Sequence, residues 1–256
     1  MRNIWPILKR ELKSYFVSPI AYVVIFIFLL IAGYFFYANF TNYSFISLQA
    51  ASSSAGFQGL TPTDVVLRPL FGNLSVLMLL MMPLLTMRLF AEEKKTGTLE
   101  LLLTYPVRDI EVLLGKFLAC LLVFALMLAL TLSYVVFLAV LTDPEFGPII
   151  TGYVGLLLVG AAFISLGILA SSLTENQIVA AAISFGLLLL FWIVGWSSYF
   201  VGPKLAAVIN HVSLLEHLES FSKGVFDTND IIYYLSFAFL SLFLTSRSLE
   251  SKRWRG

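Results

Sequence analysis

Residues 90–109 read FAEEKKTGTLELLLTYPVRD, a charged island between two long apolar runs, and the fold turns on how that island is taken. Gly97 followed by Thr98 predicts a break and then a helix N-cap. The threonine hydroxyl can accept from the free amides of the next turn, and Glu100 suits the positive helix end. Leu99, Leu102 and Leu103 fall on one face of that helix. Pro106 limits it, because the residue before a proline is pushed out of the helical region. Asp109 predicts the cap of a further helix, with Ile110, Leu113, Leu114 and Phe117 along its apolar side. A short amphipathic helix hung between membrane-crossing runs and facing water is a surface for gripping a soluble partner. The bland alternative is a membrane-surface linker whose leucine stripe faces lipid.

The flanking runs set the fold class. The 256 residues are 59% hydrophobic and 12% charged, with a mean hydropathy of +0.93; soluble domains carry about 25% charged residues. The apolar runs approach the roughly 20 residues that cross a ~30 Å hydrocarbon core as a helix. Helices are required there because unpaired backbone amides in lipid cost several kcal/mol. The expectation is an all-α membrane protein, a single transmembrane domain over 1–256, with six spans at about 19–40, 69–90, 116–141, 148–172, 177–201 and 229–247. Pro83, inside the second span, predicts a kink that frees the Leu79 carbonyl. Ala161 with Ser165, Gly167 with Ser171, and Ala182 with Gly186 allow close helix approach, within the chain or at a dimer seam.

Residues 1–18 predict an amphipathic helix lying in the membrane interface. Ile4, Trp5, Leu8, Leu12, Tyr15 and Phe16 share its apolar face, and Arg2, Lys9, Arg10 and Lys13 supply the polar one. A cleaved signal peptide is the competing reading, but the following apolar run is long and no small-x-small site follows it. Orientation follows the cations. With the amino terminus in the cytoplasm, only Arg68, Lys204 and Lys223 fall outside, so both termini are expected inside. Residues 41–67 predict a flexible or partly helical outer loop, and 202–228 an outer segment with an amphipathic piece from Leu205 to Phe221. Thr174, Glu175 and Asn176 lie in a short inner loop on the same side as the charged island.

Little in the chain suggests chemistry of its own. There is no G-x-x-x-x-G-K-[ST] loop, no H-E-x-x-H and no G-x-S-x-G, so no catalytic residues and no nucleotide hydrolysis are expected. His211 and His217 are too few for a metal site, so none is expected, and Met78, Met81, Met82 and Met87 read as adaptable packing. A net charge of +1 argues against nucleic acid as a partner. Cys120 reads as a small buried hydrophobe. The predicted spans hold essentially no ionisable residue away from their ends, unlike ion-coupled carriers. The energy for any transport is therefore expected to come from outside the membrane part.

From Glu92-Glu93-Lys94-Lys95 through Gly97-Thr98-Leu99-Glu100-Leu101-Leu102-Leu103 to Pro106-Val107, and again at Leu114-Gly115-Lys116-Phe117, the sequence resembles the type-2 ABC exporter permeases. The inner loop Ser171–Gln177 resembles the small loop of such permeases. The stretch Leu215–Asp227 is similar, more loosely, to their gliding-motility-associated and copper-maturation branch. The resemblance implies a permease subunit of an ATP-driven exporter in the bacterial inner membrane. It would carry a cytoplasmic coupling helix between spans two and three, within 91–115, and have no cofactor of its own. ATP and Mg would sit on a separate cytosolic ATP-binding subunit. A second permease copy, identical or paralogous, and membrane lipid complete the implied partners. The implied docking residues are Glu92, Glu93, Gly97, Thr98, Leu99, Glu100, Leu102 and Leu103, then Thr174, Glu175 and Asn176. The alternative is a non-transporting membrane anchor that recruits a soluble complex.

Overall fold

A computed structural model describes residues 4–52, 61–98, 108–197 and 201–253. Its elements are helices α1 (Ile4–Val17), α2 (Pro19–Ser52), a single π turn (Thr63–Leu67), α3 (Arg68–Thr86), α4 (Arg88–Lys95), α5 (Asp109–Leu141), α6 (Phe146–Leu173), α7 (Gln177–Ser197), α8 (Pro203–Val212), α9 (Glu216–Ser222) and α10 (Thr228–Arg253). No strand occurs among the described residues. Six helical stretches are long and apolar enough to cross a membrane, one for each expected span.

Two of these spans, π turn–α3–α4 and α6, are largely buried within the chain, while the other four leave most of their apolar surface outward. That division is the one a bilayer requires, because lipid tails accept Phe26, Val140 or Phe239 on the outside as readily as a protein core would. α6 is the axis of the bundle and touches α3, α4, α5, α7, α9 and α10. Close approach along it depends on missing side chains. A Cβ added to Gly160 would lie 2.0 Å from Phe124 Cε1, and one added to Gly167 would lie 2.2 Å from the Thr86 hydroxyl. Gly167 with Ser171 is therefore an intrachain seam. Gly186, by contrast, has nothing within 4 Å of such a Cβ and lies on an exposed face of α7.

Several boundaries differ from the sequence reading, each for a local reason. α2 continues to Ser52 instead of stopping near residue 40, since Ser44 and Ser47 return their hydroxyls to the Phe40 and Ser44 carbonyls and stay inside the helix. The second span begins at the π turn, so much of 41–67 is helical; 53–60 lie outside the described residues. The third span begins at Asp109, seven residues earlier than 116, because its first two turns are packed under α1. Asp109 does not cap that helix: it stands in the first turn, where its charge faces the positive end, and Arg108 is the cap position without a side-chain bond. Ile110 is exposed, and the buried face runs through Val112, Leu113, Lys116 and Cys120. The outer piece 205–221 is two helices, α8 and α9, rather than one.

α1 turns part of the expected stripe, Leu8 and Tyr15, into the bundle. Ile7, Leu8, Glu11 and Tyr15 are buried, whereas Trp5 is 72% exposed and Phe16 faces outward. The helix crosses α5 where Gly115 leaves room for it: a Cβ there would meet Ile7 Cγ2 at 2.7 Å.

Candidate functional site

The charged island folds as a short helix closed by a left-handed residue. After α4 ends at Lys95, Gly97 adopts φ +70°, a conformation that costs an L side chain about 1 kcal/mol or more. The Thr96 hydroxyl returns to the Glu92 carbonyl at 2.9 Å, and the Thr98 hydroxyl to the Glu93 carbonyl at 3.3 Å. The break at Gly97 is thus where the sequence put it, and Thr98 just after it is helical again. The Thr98 hydroxyl reaches back to the helix behind it, and the amides ahead that it is expected to cap lie outside the described residues. Leu99, Glu100, Leu102 and Leu103 lie outside the described residues.

α4 is tied into the bundle on two sides. At the interruption between α3 and α4, the buried Ser171 hydroxyl donates to the Met87 carbonyl at 2.8 Å and accepts from the Phe90 and Ala91 amides, both at 3.1 Å. Those amides are among the free donors of a helix start, and Ser171 satisfies them from α6. One turn on, the Lys94 ammonium donates to the Ser172 carbonyl. The Thr174–Asn176 loop follows directly after α6. There Asn176 caps α7, accepting from the Ile178 amide at 2.9 Å, while the Thr174 hydroxyl accepts from the Asn176 amide at 3.2 Å. Glu175 is exposed. α4 and this loop stand at the same end of the bundle, joined through Ser171 and Ser172.

The other side of α4 is held by charges. Glu93 Oε1 accepts from Arg10 Nη2 and from Lys116 Nζ, each at 2.9 Å. Lys116 also reaches Glu11 Oε1 at 3.2 Å, and Arg10 reaches the same oxygen at 2.7 Å. Lys116 is fully buried, with its ammonium 5.2 Å from the centre of the Phe90 ring. Two cations and two carboxylates from α1, α4 and α5 therefore neutralise one another, around a buried Lys116 and with Arg10 open to the outside. Burial alone would raise the Glu11 carboxyl, but the Lys116 ammonium and the Arg10 guanidinium outweigh it, and the group is held below its ordinary value. Beside this cluster the Tyr15 hydroxyl donates to the Leu85 carbonyl at 2.8 Å, and Arg88, over the Tyr15 ring, donates to Ser18 Oγ at 2.8 Å. A cavity of about 330 Å³ opens between α1 and α4, with Glu92, Thr96 and Thr98 on its rim.

Of the residues expected to face a partner, Glu92, Gly97, Thr98, Glu175 and Asn176 are exposed. Thr174 is half-buried and Glu93 is engaged inside the chain. Arg10, Glu11 and Lys116 were missed as members of the site. The signal that could have found them is a lone acid, Glu11, among the cations of α1, facing the lysine of the Gly115-Lys116 pair.

The family model described as ABC-2 family transporter protein matches residues 5–246, which takes in α1, both inner segments and all six spans. The chain belongs to that family. It is an ABC-2 permease, a multi-pass membrane component of an ABC transporter, and the family implies partnership with an ATP-binding subunit. Permeases of this family are membrane subunits without ATPase sites. No curated protein matches the chain. In this ABC-2 permease His217 is engaged within the outer segment. It is half-buried, its Nδ1 lies 2.6 Å from Asp230 Oδ1, and its ring stacks on Tyr233 at 4.0 Å. No cluster of three or more metal-ligating side chains occurs among the described residues.

Proposed function

We propose that this ABC-2 permease is the transmembrane half of an ATP-driven exporter, pushed through α4 by a separate cytosolic ATP-binding subunit that carries the ATP and Mg. The observation that carries the reading is the double anchorage of α4: Ser171 and Lys94 bind it to the axial helix α6, and Glu93 binds it to α1 and α5. A short helix held on both sides transmits a displacement of its exposed edge to the spans, whereas a loose surface linker would absorb it. In this reading Glu92, Gly97 and Thr98 contact the ATP-binding subunit directly, with Glu175 and Asn176 as a second contact. Leu99, Leu102 and Leu103 are the apolar anchors, Glu100 helps set register, Thr174 shapes the second contact, and Glu93 acts from inside by fixing the position of α4. Two permease copies, identical or paralogous, line the path. The inner membrane, with both termini in the cytoplasm, is the location that the cation distribution supports. The Leu215–Asp227 stretch favours the gliding-motility-associated and copper-maturation branch.

The test is co-purification from membranes with the ATP-binding subunit, followed by ATP hydrolysis in reconstituted vesicles. Glu92→Lys and Leu99→Asp are expected to abolish co-purification while membrane insertion stays intact. Wild-type permease is expected to stimulate hydrolysis and drive ATP-dependent export. Undiminished co-purification of both variants overturns the docking assignment. A stable complex that neither stimulates hydrolysis nor moves any cargo leaves a membrane anchor instead.

A further inference from the structure

At the end of the bundle remote from Gly97, α3, α7 and the α8–α9 segment enclose a second cavity, of about 350 Å³. Its volume is that of a small-ligand site. Phe71, Val76, Trp192 and Leu218 form apolar walls. Apart from the Arg68 guanidinium at the rim and the Trp192 indole N–H, the polar lining accepts. Ser75 and Ser222 donate their hydroxyls to the Gly72 and Glu219 carbonyls, at 2.7 and 2.8 Å, and so offer the cavity only lone pairs. Ser213 Oγ is fully buried and has no hydrogen-bond partner among the described residues, an arrangement that is costly unless something enters to meet it. Arg68, at the rim, is flanked by two carboxylates, Asp64 at 3.8 Å and Glu219 at 3.7 Å, and Glu219 further pairs with Lys223 at 2.6 Å. Glu216 also lines the cavity, is half-buried, and pairs with no cation among the described residues. An apolar pocket whose polar atoms mostly accept, with one uncompensated carboxylate, calls for a ligand that donates and carries positive charge.

We infer that this cavity binds the primary ammonium group of an amphiphile, with the ammonium on Glu216 and the serine hydroxyls and the chain against Trp192 and Val76. A quaternary ammonium brings the charge without the donors, and a carboxylate meets Glu216 with like charge. The same chemistry comes from two sources, an aminophospholipid of the bilayer or a single-chain amine arriving from outside it. The site stands on its own lining and on no part of the coupling through α4.

Trp192 makes the test optical, because bromine quenches tryptophan emission on contact. The purified full-length permease, in maltoside micelles without any ATP-binding subunit, is titrated with 11-bromoundecylamine, its trimethylammonium analogue and 11-bromoundecanoate. Saturable quenching by the primary amine is expected at a concentration at least fivefold lower than for either analogue. Trp192→Phe is expected to remove that phase. Glu216→Gln is expected to weaken it at least fivefold, and Val76→Phe, which fills the cavity without adding another emitter, to displace the amine. Nanodiscs holding brominated phosphatidylethanolamine or brominated phosphatidylcholine separate the sources. Stronger quenching by the first assigns the site to lipid, and equal quenching by the two assigns it to the single-chain amine. Equal quenching by amine and carboxylate, or an unchanged titration in both Glu216→Gln and Val76→Phe, overturns the inference.

Discussion

Lys116 of α5 and Glu93 of α4 meet at 2.9 Å, although neither helix could be assigned to the other from sequence separation or apolar pattern. The lysine is buried to 1% exposure, so its charge depends on Glu93 and Glu11 for compensation. Removing one partner of a buried ion pair costs about 3–5 kcal/mol, because the remaining charge stays desolvated. Glu93→Gln retains Glu11 as a counter-ion and is expected to fall at or below the lower end of that range. Lys116→Met, which leaves two carboxylates to a single arginine, is expected to cost more. Thermal unfolding of the purified permease in detergent checks the order of the two variants.

The same cluster predicts an acid limit. The Glu11 carboxyl lies below its ordinary value in the folded protein. Its contribution is therefore fully present above the ordinary carboxylate range, near pH 4.3, and is lost as pH falls through the lower folded value. The unfolding temperature is expected to hold from neutral pH to about pH 5 and to drop below about pH 4. Glu11→Gln is expected to be less stable at neutral pH and to show a shallower acid loss. An identical acid slope in the variant would assign the loss to other carboxylates.

Ser171 serves three backbone groups with one hydroxyl. Ser171→Ala leaves the Phe90 and Ala91 amides and the Met87 carbonyl without it, in a buried place, at about 1–3 kcal/mol. Hydrogen exchange is expected to speed up at residues 88–95 more than in α6 itself. Uniform acceleration across the chain would mean that the bond supports the whole bundle rather than the seating of α4.

Two glycines make a matched pair for packing. Gly160→Ala forces Phe124 to move and is expected to cost about 1–3 kcal/mol as overpacking. Gly186→Ala, with open space around its Cβ, is expected to be neutral or to gain up to about 1 kcal/mol from helix propensity. Unfolding of the two variants side by side checks this. A destabilised Gly186→Ala in the purified protein would instead place a second copy of the chain against that face.

Much of the architecture was legible because lipid imposes one pattern, a run of apolar residues long enough to cross, and six such runs are plain in the chain. Chain breaks were legible where a residue type dictates backbone, as at Gly97. What faces what inside the bundle was not. In soluble helices an apolar stripe marks the buried side, but here lipid accepts the same residues. The apolar stripe of α1 is therefore shared: Leu8 and Tyr15 are covered by the chain, Trp5 and Phe16 face outward, and Glu11, which the stripe did not include, is buried. Glu93 was read as a surface charge for the same reason: its partners, Arg10 and Lys116, are 83 residues before and on the far side of Gly97.

The length of α2 has a consequence for the outline of the molecule. Its 34 residues rise about 51 Å, against about 32 Å for the 21 residues of α7. A hydrocarbon slab of ~30 Å leaves some four turns of an upright α2 standing in the water beyond it. Counted from Pro19, the exposed Phe45 and Leu48 stand about 39 and 44 Å along the helix, past the reach of lipid tails, so these apolar side chains call for a cover other than the bilayer core.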